Sequence, residues 1–204
     1  IPARLEENGG DPWQRLDGIG NAASRSEETC ALRLVTHVTL HRDSRSVLFS
    51  VHFDNPAEDH RLRVLFPTRL PGVTAHAESA FDVVERETAF SEDSLWFGMR
   101  GVTFPMQRFV DVSGGGAGLA IINDGLREYE VTPDEDRAIA VTLMRAYEVN
   151  LTTVSCRWDT HPEMKLSQCP GAHSFQFRIY PHRDDYAEGG VLEEELFESL
   201  QVGT

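Results

Sequence analysis

The chain has 204 residues, 40% hydrophobic and 25% charged, with 19 lysines and arginines against 33 aspartates and glutamates, a formal net charge of −14. That balance suits an ordinary globular core but repels nucleic acid and anionic membrane surfaces, so neither is expected as a partner. No run reaches the roughly 18 apolar residues that cross a bilayer.

Residues 1 to about 29 are polar and broken by Gly9-Gly10-Asp11-Pro12 and Gly18-Ile19-Gly20, an irregular lead-in. Period-two alternation then begins. Leu32, Leu34, Thr36, Val38 and Leu40 share one side of a strand, His41–Arg45 turns, and Val47, Phe49, Val51 and Phe53 share one side of the next. Alternate side chains point to opposite faces of a sheet, so this is expected to be a half-buried antiparallel hairpin. Leu62, Val64 and Phe66 resume the pattern, and shorter strands are expected near Val73–Ala77, Phe81–Arg86 and Gln107–Val112. Ile139, Val141 and Leu143 alternate, as do Phe175, Phe177 and Ile179. Turn residues separate these runs at the intervals of an all-β sandwich or barrel. About 25 weakly periodic residues lie between Tyr147 and Cys169. Leu192, Leu196 and Leu200 recur at helical spacing, which allows a short terminal helix. A single β-sandwich domain over residues 1–204 is predicted, with residues 188–204 as its tail.

Few residue groups point to chemistry by pattern alone. Gly114-Gly115-Gly116-Ala117-Gly118 resembles a phosphate cradle, but the apolar run Leu119–Ile122 follows instead of a helix, so a hairpin is expected. Ser113 lacks the strand–elbow–helix setting of a serine nucleophile. Cys156, His161, Cys169 and His173 could ligate zinc, yet no pair has the C-x2-C spacing of a knuckle, and Pro170-Gly171 is equally well a turn. Trp13, Trp96 and Trp158 could each stack on a sugar, although core packing is the commoner role. Three cysteines are an odd and sparse set, so free thiols and a cytoplasmic setting are expected. Asn123-Asp124-Gly125 is turn chemistry, in which Asn and Asp tolerate left-handed backbone and Gly supplies positive φ. A role in sugar contact is compatible with that, because loops between strands commonly mount binding groups.

Two stretches carry a family resemblance: FPMQRFVDVSGGGAGLAIINDGLREYEV at residues 104–131 and QCPGAHSFQFRIYPH at residues 168–182. With VTLHRDSRSV (38–47), HRLRVLFPT (60–68) and FDVVER (81–86), they resemble the C-terminal β-domain of glycoside hydrolase family 38. These are zinc-dependent retaining α-mannosidases, and the segments are similar to bacterial, mannosylglycerate hydrolase-like members. The resemblance implies a large antiparallel β-sandwich of the galactose-mutarotase-like supersandwich type. It implies an α-mannoside as the carbohydrate substrate of the parent enzyme, whose own N-terminal barrel holds the zinc, the aspartate nucleophile and the acid/base carboxylate. None of that barrel's motifs matches this sequence, so the chain is read as a C-terminal piece of a longer glycosidase, with no catalytic residue, metal ligand or cofactor of its own. Packing against the barrel is implied, with the turn at Asn123, Asp124 and Gly125, together with Arg127 and Tyr129, helping to wall the substrate pocket.

Two other functions are compatible with the same elements. One is an autonomous carbohydrate-binding module. The other is a mutarotase-like epimerase, which needs a histidine acid and a glutamate base converging in one groove, as His37, His41 or His52 with Glu85 would have to do. Apolar surface left exposed on an isolated domain would also favour self-association into a homo-oligomer.

Overall fold

The computed structural model describes residues 1–3, 5–7, 23–72, 74–88, 103–147, 150–151, 159–160, 163 and 165–201. Strands β1 (Leu5–Glu7) and β2 (Ala23–Arg25) pair as a small ribbon. The strands that follow are β3 (Leu34–Leu40), β4 (Val47–Asn55), β5 (Arg61–Phe66), β6 (Thr74–Glu78) and β7 (Val83–Glu87). Next come β8 (Phe104–Pro105), β9 (Phe109–Gly114), β10 (Ala117–Asn123), β11 (Glu128–Val131) and β12 (Ile139–Arg145). A second ribbon pairs β13 (Asn150–Leu151) with β14 (Asp159–Thr160), and a 3-10 turn, Lys165–Gln168, leads into the 13-residue β15 (Gly171–Arg183). Helix α1 (Val191–Gln201) ends the described chain.

Eleven of these strands form two antiparallel sheets, a seven-stranded one in the order β3-β4-β15-β10-β9-β6-β7 and a four-stranded one in the order β5-β12-β11-β8. Between them lies the main core of a β-sandwich. Val51 and Phe53 of β4, Phe177 of β15, Ile121 of β10, Val110 and Val112 of β9, and Ala75 and Ala77 of β6 meet Tyr129, Ile139 and Val141 from the smaller sheet. Phe49 stacks on Phe177 at 5.4 Å between ring centres, and Phe66 meets both edge-on. Of these, Val51, Phe53, Phe177, Ile139 and Val141, with Phe49 and Phe66, are residues that the period-two pattern assigns to single faces.

The glycine run folds as a hairpin. Gly114 pairs with Ala117 across a two-residue turn, and Gly115 and Gly116 take φ of 65° and 83°, which a side chain would resist. Phe81, expected inside a strand, instead sits in the turn joining β6 to β7. There Ser79 N–H donates to the Asp82 carbonyl, and Phe81 is fully exposed.

The expected half-burial of the first hairpin holds for β4 but not for β3. Leu34, Val38 and Leu40 lie opposite Phe53, Phe49 and Val47, so they share the inner face of the large sheet. Nevertheless Val38 is 60% and Leu40 70% exposed. Unequal sheet widths explain this. Phe66 of β5 covers Phe49 of β4, and β5 is the edge of the smaller sheet, so β3 extends past the cover.

A second, smaller core forms on the outer face of the large sheet. Phe109, Ala120, Ile122 and Tyr180 are buried there beneath Val191 of α1, with Val83 and Tyr186 packed alongside. In isolation an 11-residue acidic helix is marginal; here the sheet supplies its apolar partner. Glu194 pairs with Arg45 at 3.2 Å and Glu195 with Arg108 at 2.7 Å, which ties the helix to two separate loops.

Candidate functional site

The turn singled out in the sequence joins β10 to β11 at one end of the sandwich. Asn123 organises it from within. Its Oδ1 accepts from Leu126 N–H at 2.7 Å, its Nδ2 donates to the Arg108 carbonyl at 3.3 Å, and the side chain is buried. Gly125 takes φ of 105°, a conformation L residues rarely adopt, and nothing approaches within 4 Å of where its side chain would be. The turn therefore offers open backbone, with Asp124 and Gly125 exposed to solvent.

Three loops interlock at this end. Met106 N–H donates to the Arg127 carbonyl and Gln107 N–H to the Glu78 carbonyl, while Arg127 Nη1 donates to the Gln107 carbonyl at 3.1 Å. Between them lies an open cleft of about 430 Å³, lined by Glu78, Ser79, Pro105, Gln107 and Arg127 among others. That volume lies within the range of small-ligand sites. Of the five residues expected to meet a sugar, Arg127 lines this cleft, and Asp124 and Gly125 are exposed on the adjoining turn. Asn123 is not exposed, because its amide is used inside the turn, and neither is Tyr129. The Tyr129 ring is fully buried in the main core, with its hydroxyl accepting from Arg86 at 3.3 Å. Burial also raises the pKa of that phenol above its ordinary value, against the smaller opposing effect of Arg86.

Charge at the cleft floor is arranged around Arg108. Its guanidinium donates to Glu78 at 2.7 Å and pairs with Glu195. Burial opposes ionisation of Glu78, but hydrogen bonds from the Arg108 side chain and backbone outweigh it and hold the carboxyl below its usual range. The same bonds raise Arg108. Burial pushes Glu195 upward despite Arg108. Carboxylates driven apart in this way can serve as an acid and a base. Here both are committed to one guanidinium, and Glu195 is a buried residue of α1 itself, so the arrangement anchors the helix to the loop between β8 and β9.

A wider cleft of about 620 Å³ lies beside the outer face of the four-stranded sheet, near Asp59, Arg61, Glu128, Arg145 and Tyr147. Its charges are internally paired: Glu128 accepts from Thr142 at 2.7 Å and from Arg145 at 2.9 Å and pairs with Arg61 at 2.8 Å. Burial disfavours ionised Glu128, but these partners together hold its pKa low.

The remaining candidates resolve as structure. Cys169 and His173 are joined through the backbone, His173 Nε2 lying 2.9 Å from the Cys169 carbonyl. Cys156, His161 and the three tryptophans fall outside the described residues. Among the described residues no group of three or more His, Cys, Asp or Glu is placed to hold a metal ion. His37 and His52 adjoin at 5.7 Å on the outer face, but Glu85 lies on β7 at the far edge of the same sheet. Five strand spacings separate β4 from β7, roughly 24 Å at about 4.8 Å each, too far for an epimerase acid and base to share one sugar.

The sequence reading missed the most buried polar cluster. Asp111 of β9, at 0% side-chain exposure, meets His182 Nε2 of β15 at 2.7 Å. The imidazole lies in a slot between Gly118 and Gly189, where a Cβ on either glycine would overlap it. Glycine inside a strand signals close approach of another group, and Gly118 was the available clue. His182 is 71 residues from Asp111, however, and nothing local connects them.

Compared with known proteins, residues 22–149 match the family model described as the glycosyl hydrolases family 38 C-terminal domain. This chain belongs to glycoside hydrolase family 38, as its C-terminal domain. It is 33% identical over 195 residues to a Halalkalibacterium halodurans protein assigned as a mannosylglycerate hydrolase, a match covering 94% of this chain and 20% of that protein. Among solved structures it resembles an α-mannosidase from Enterococcus faecalis V583, with TM-score 0.78 and 27% identity over 96% of this chain and 21% of that one. A second Enterococcus faecalis family 38 protein superposes with TM-score 0.74 and 28% identity, covering 96% of this chain and 22% of the other. The family 38 chain described here therefore spans about a fifth of the length of these relatives.

Proposed function

We propose that this domain closes one side of the sugar site of a family 38 glycosidase acting on α-mannosides, and that the preceding part of the same polypeptide supplies the catalytic barrel. The observation that carries the reading is the end of the sandwich where Arg127 lines a small-ligand-sized cleft braced by three loops, with Asp124 and the open backbone at Gly125 exposed on the same turn. A carboxylate and a guanidinium beside exposed amides can grip vicinal hydroxyls. Asn123 and Tyr129 set the turn from behind. The names carried by the relatives support a mannoside as the substrate class. Zinc, which the family resemblance implies, belongs in this proposal to the barrel. Cys30 and Cys169 are free thiols, in keeping with a cytoplasmic enzyme.

The test is kinetic and uses the full-length enzyme. Asp124→Ala and Arg127→Ala should each lower kcat/KM on an α-mannoside by roughly tenfold to a hundredfold, the equivalent of one charged hydrogen bond at about 1.5–3 kcal/mol. Both side chains are exposed, so the melting temperature should stay within a degree or two of wild type. Unchanged kinetics in both variants would remove the turn from the site.

A further inference from the structure

The two edges of the large sheet are built differently. β7 carries Glu85, Arg86 and Glu87, the charged edge with which a strand in water avoids pairing with others. At the opposite edge, β3 reads Leu34-Val-Thr-His-Val-Thr-Leu40 and contains no acidic, lysine or arginine residue. Among the described residues no strand pairs with its free side. On its inner face Leu34, Val38 and Leu40 line up along one overhang, 43%, 60% and 70% exposed, just beyond the point where Phe66 stops covering the sheet. An apolar strip with an open backbone ladder is what a buried edge requires and what a solvent-facing edge avoids.

What covers it follows from length and charge. Relatives that match along almost the whole of this chain are about five times as long, and their family model places this domain at the C-terminal end. Residues 33–45 carry Arg33, Arg42 and Arg45 against Asp43, in a chain whose net charge is −14, and of the three arginines Arg45 is already paired with Glu194. We infer that the free edge and inner overhang of β3 are the docking seam for the polypeptide that precedes this domain in the full-length protein, presented as an apolar segment with an acidic rim. The inference rests on the reading of this chain as the C-terminal part of a longer glycosidase. It adds which face makes the contact: the far edge of the large sheet from β7, so that the barrel-side polypeptide and the large sheet share a continuous core.

Hydroxyl-radical footprinting of the full-length protein, read by mass spectrometry, tests this directly. Side-chain oxidation follows exposed area. Covering Val38 and Leu40 down to the level of ordinary core residues should therefore slow their oxidation roughly sixfold or more relative to the exposure they show here. Rates matching 60–70% exposure would overturn the inference. So would protection that disappears on dilution, because the occupant would then be a second copy of the protein. A Val38→Asp, Leu40→Asp double variant gives an independent reading. In the full-length protein it should restore rapid proteolysis between this domain and the preceding polypeptide, whereas an unchanged cleavage pattern would count against the seam. Neither readout depends on turnover, so failure here is distinguishable from failure of the Asp124 and Arg127 variants.

Discussion

His182 shows how single residues hold this domain together. Its Nε2 faces Asp111 at 2.7 Å and its Nδ1 faces the Arg183 carbonyl at 3.1 Å. Both neighbours are acceptors, so only the doubly protonated ring satisfies both. Burial works against that charge, but the hydrogen bonds and the charges of Asp111 and Asp185 outweigh it and raise the pKa of His182 above its ordinary value. His76 of β6, placed beside Asp111 in the register, and the Tyr180 ring of β15 complete the surroundings. A pKa higher in the folded than in the unfolded state means that the ring's contribution to stability is complete below about pH 6.5. It is lost as pH rises through the folded value. The melting temperature of the wild-type chain should therefore decline over that interval, and His182→Gln should flatten the decline. His182→Ala leaves Asp111 as a buried, unpaired carboxylate and should cost about 3–5 kcal/mol. Gly118→Ala, which fills the imidazole slot, should cost about 1–3 kcal/mol. Chemical denaturation at pH 6 measures both. A Gly118→Ala chain as stable as wild type would show that the imidazole does not occupy the slot.

At the scale of elements, α1 depends on its contacts for its structure. Glu193 and Glu194 stand in its first turn, where the helix dipole favours negative charge. Val191 reaches the outer core, and Arg45 and Arg108 hold Glu194 and Glu195. Val191→Asp would place an unpaired charge against Phe109 and Tyr180, and the helix should open as a local unit ahead of the sheets. In hydrogen exchange, amides of residues 191–201 should lose most of their protection while β9, β10 and β15 keep theirs. Equal loss in all of them would mean that the helix is integral to the sheet. The same scale shows what sequence could reveal. Alternation located β4, β5, β12 and β15 and identified their buried faces, because a period of two reports which side chains share a side. It could not reveal that β3 has nothing above it, since that depends on the width of the other sheet. Nor could it separate Asp124 from Asn123 in function. Both suit a turn, and only the fold shows that one side chain closes the turn internally while the other points outward.

Across the whole molecule, the proposed function makes this domain one side of a site. The cleft that Arg127 lines has one carboxylate among its lining residues, Glu78, and that group is paired with Arg108. Hydrolysis of a glycoside requires two carboxyl groups flanking the bond, about 5–5.5 Å apart for retention or about 6.5–9.5 Å for inversion, and both free to exchange protons or bonds with the sugar. Glu78, which lines this cleft, and Glu195 are both held by Arg108, so neither is free in this way. The second set, around Glu128, is tied to Arg61 and Arg145. In the proposed function, a chain so arranged orients the substrate and leaves cleavage to the barrel. The purified 204-residue chain, supplied with zinc and a chromogenic α-mannoside, should therefore show no hydrolysis above the buffer rate, while the full-length protein turns over. Turnover by the chain alone, abolished by Glu78→Gln or Glu195→Gln, would mean that the Arg108 cluster is an active site and that the division of labour argued here is wrong.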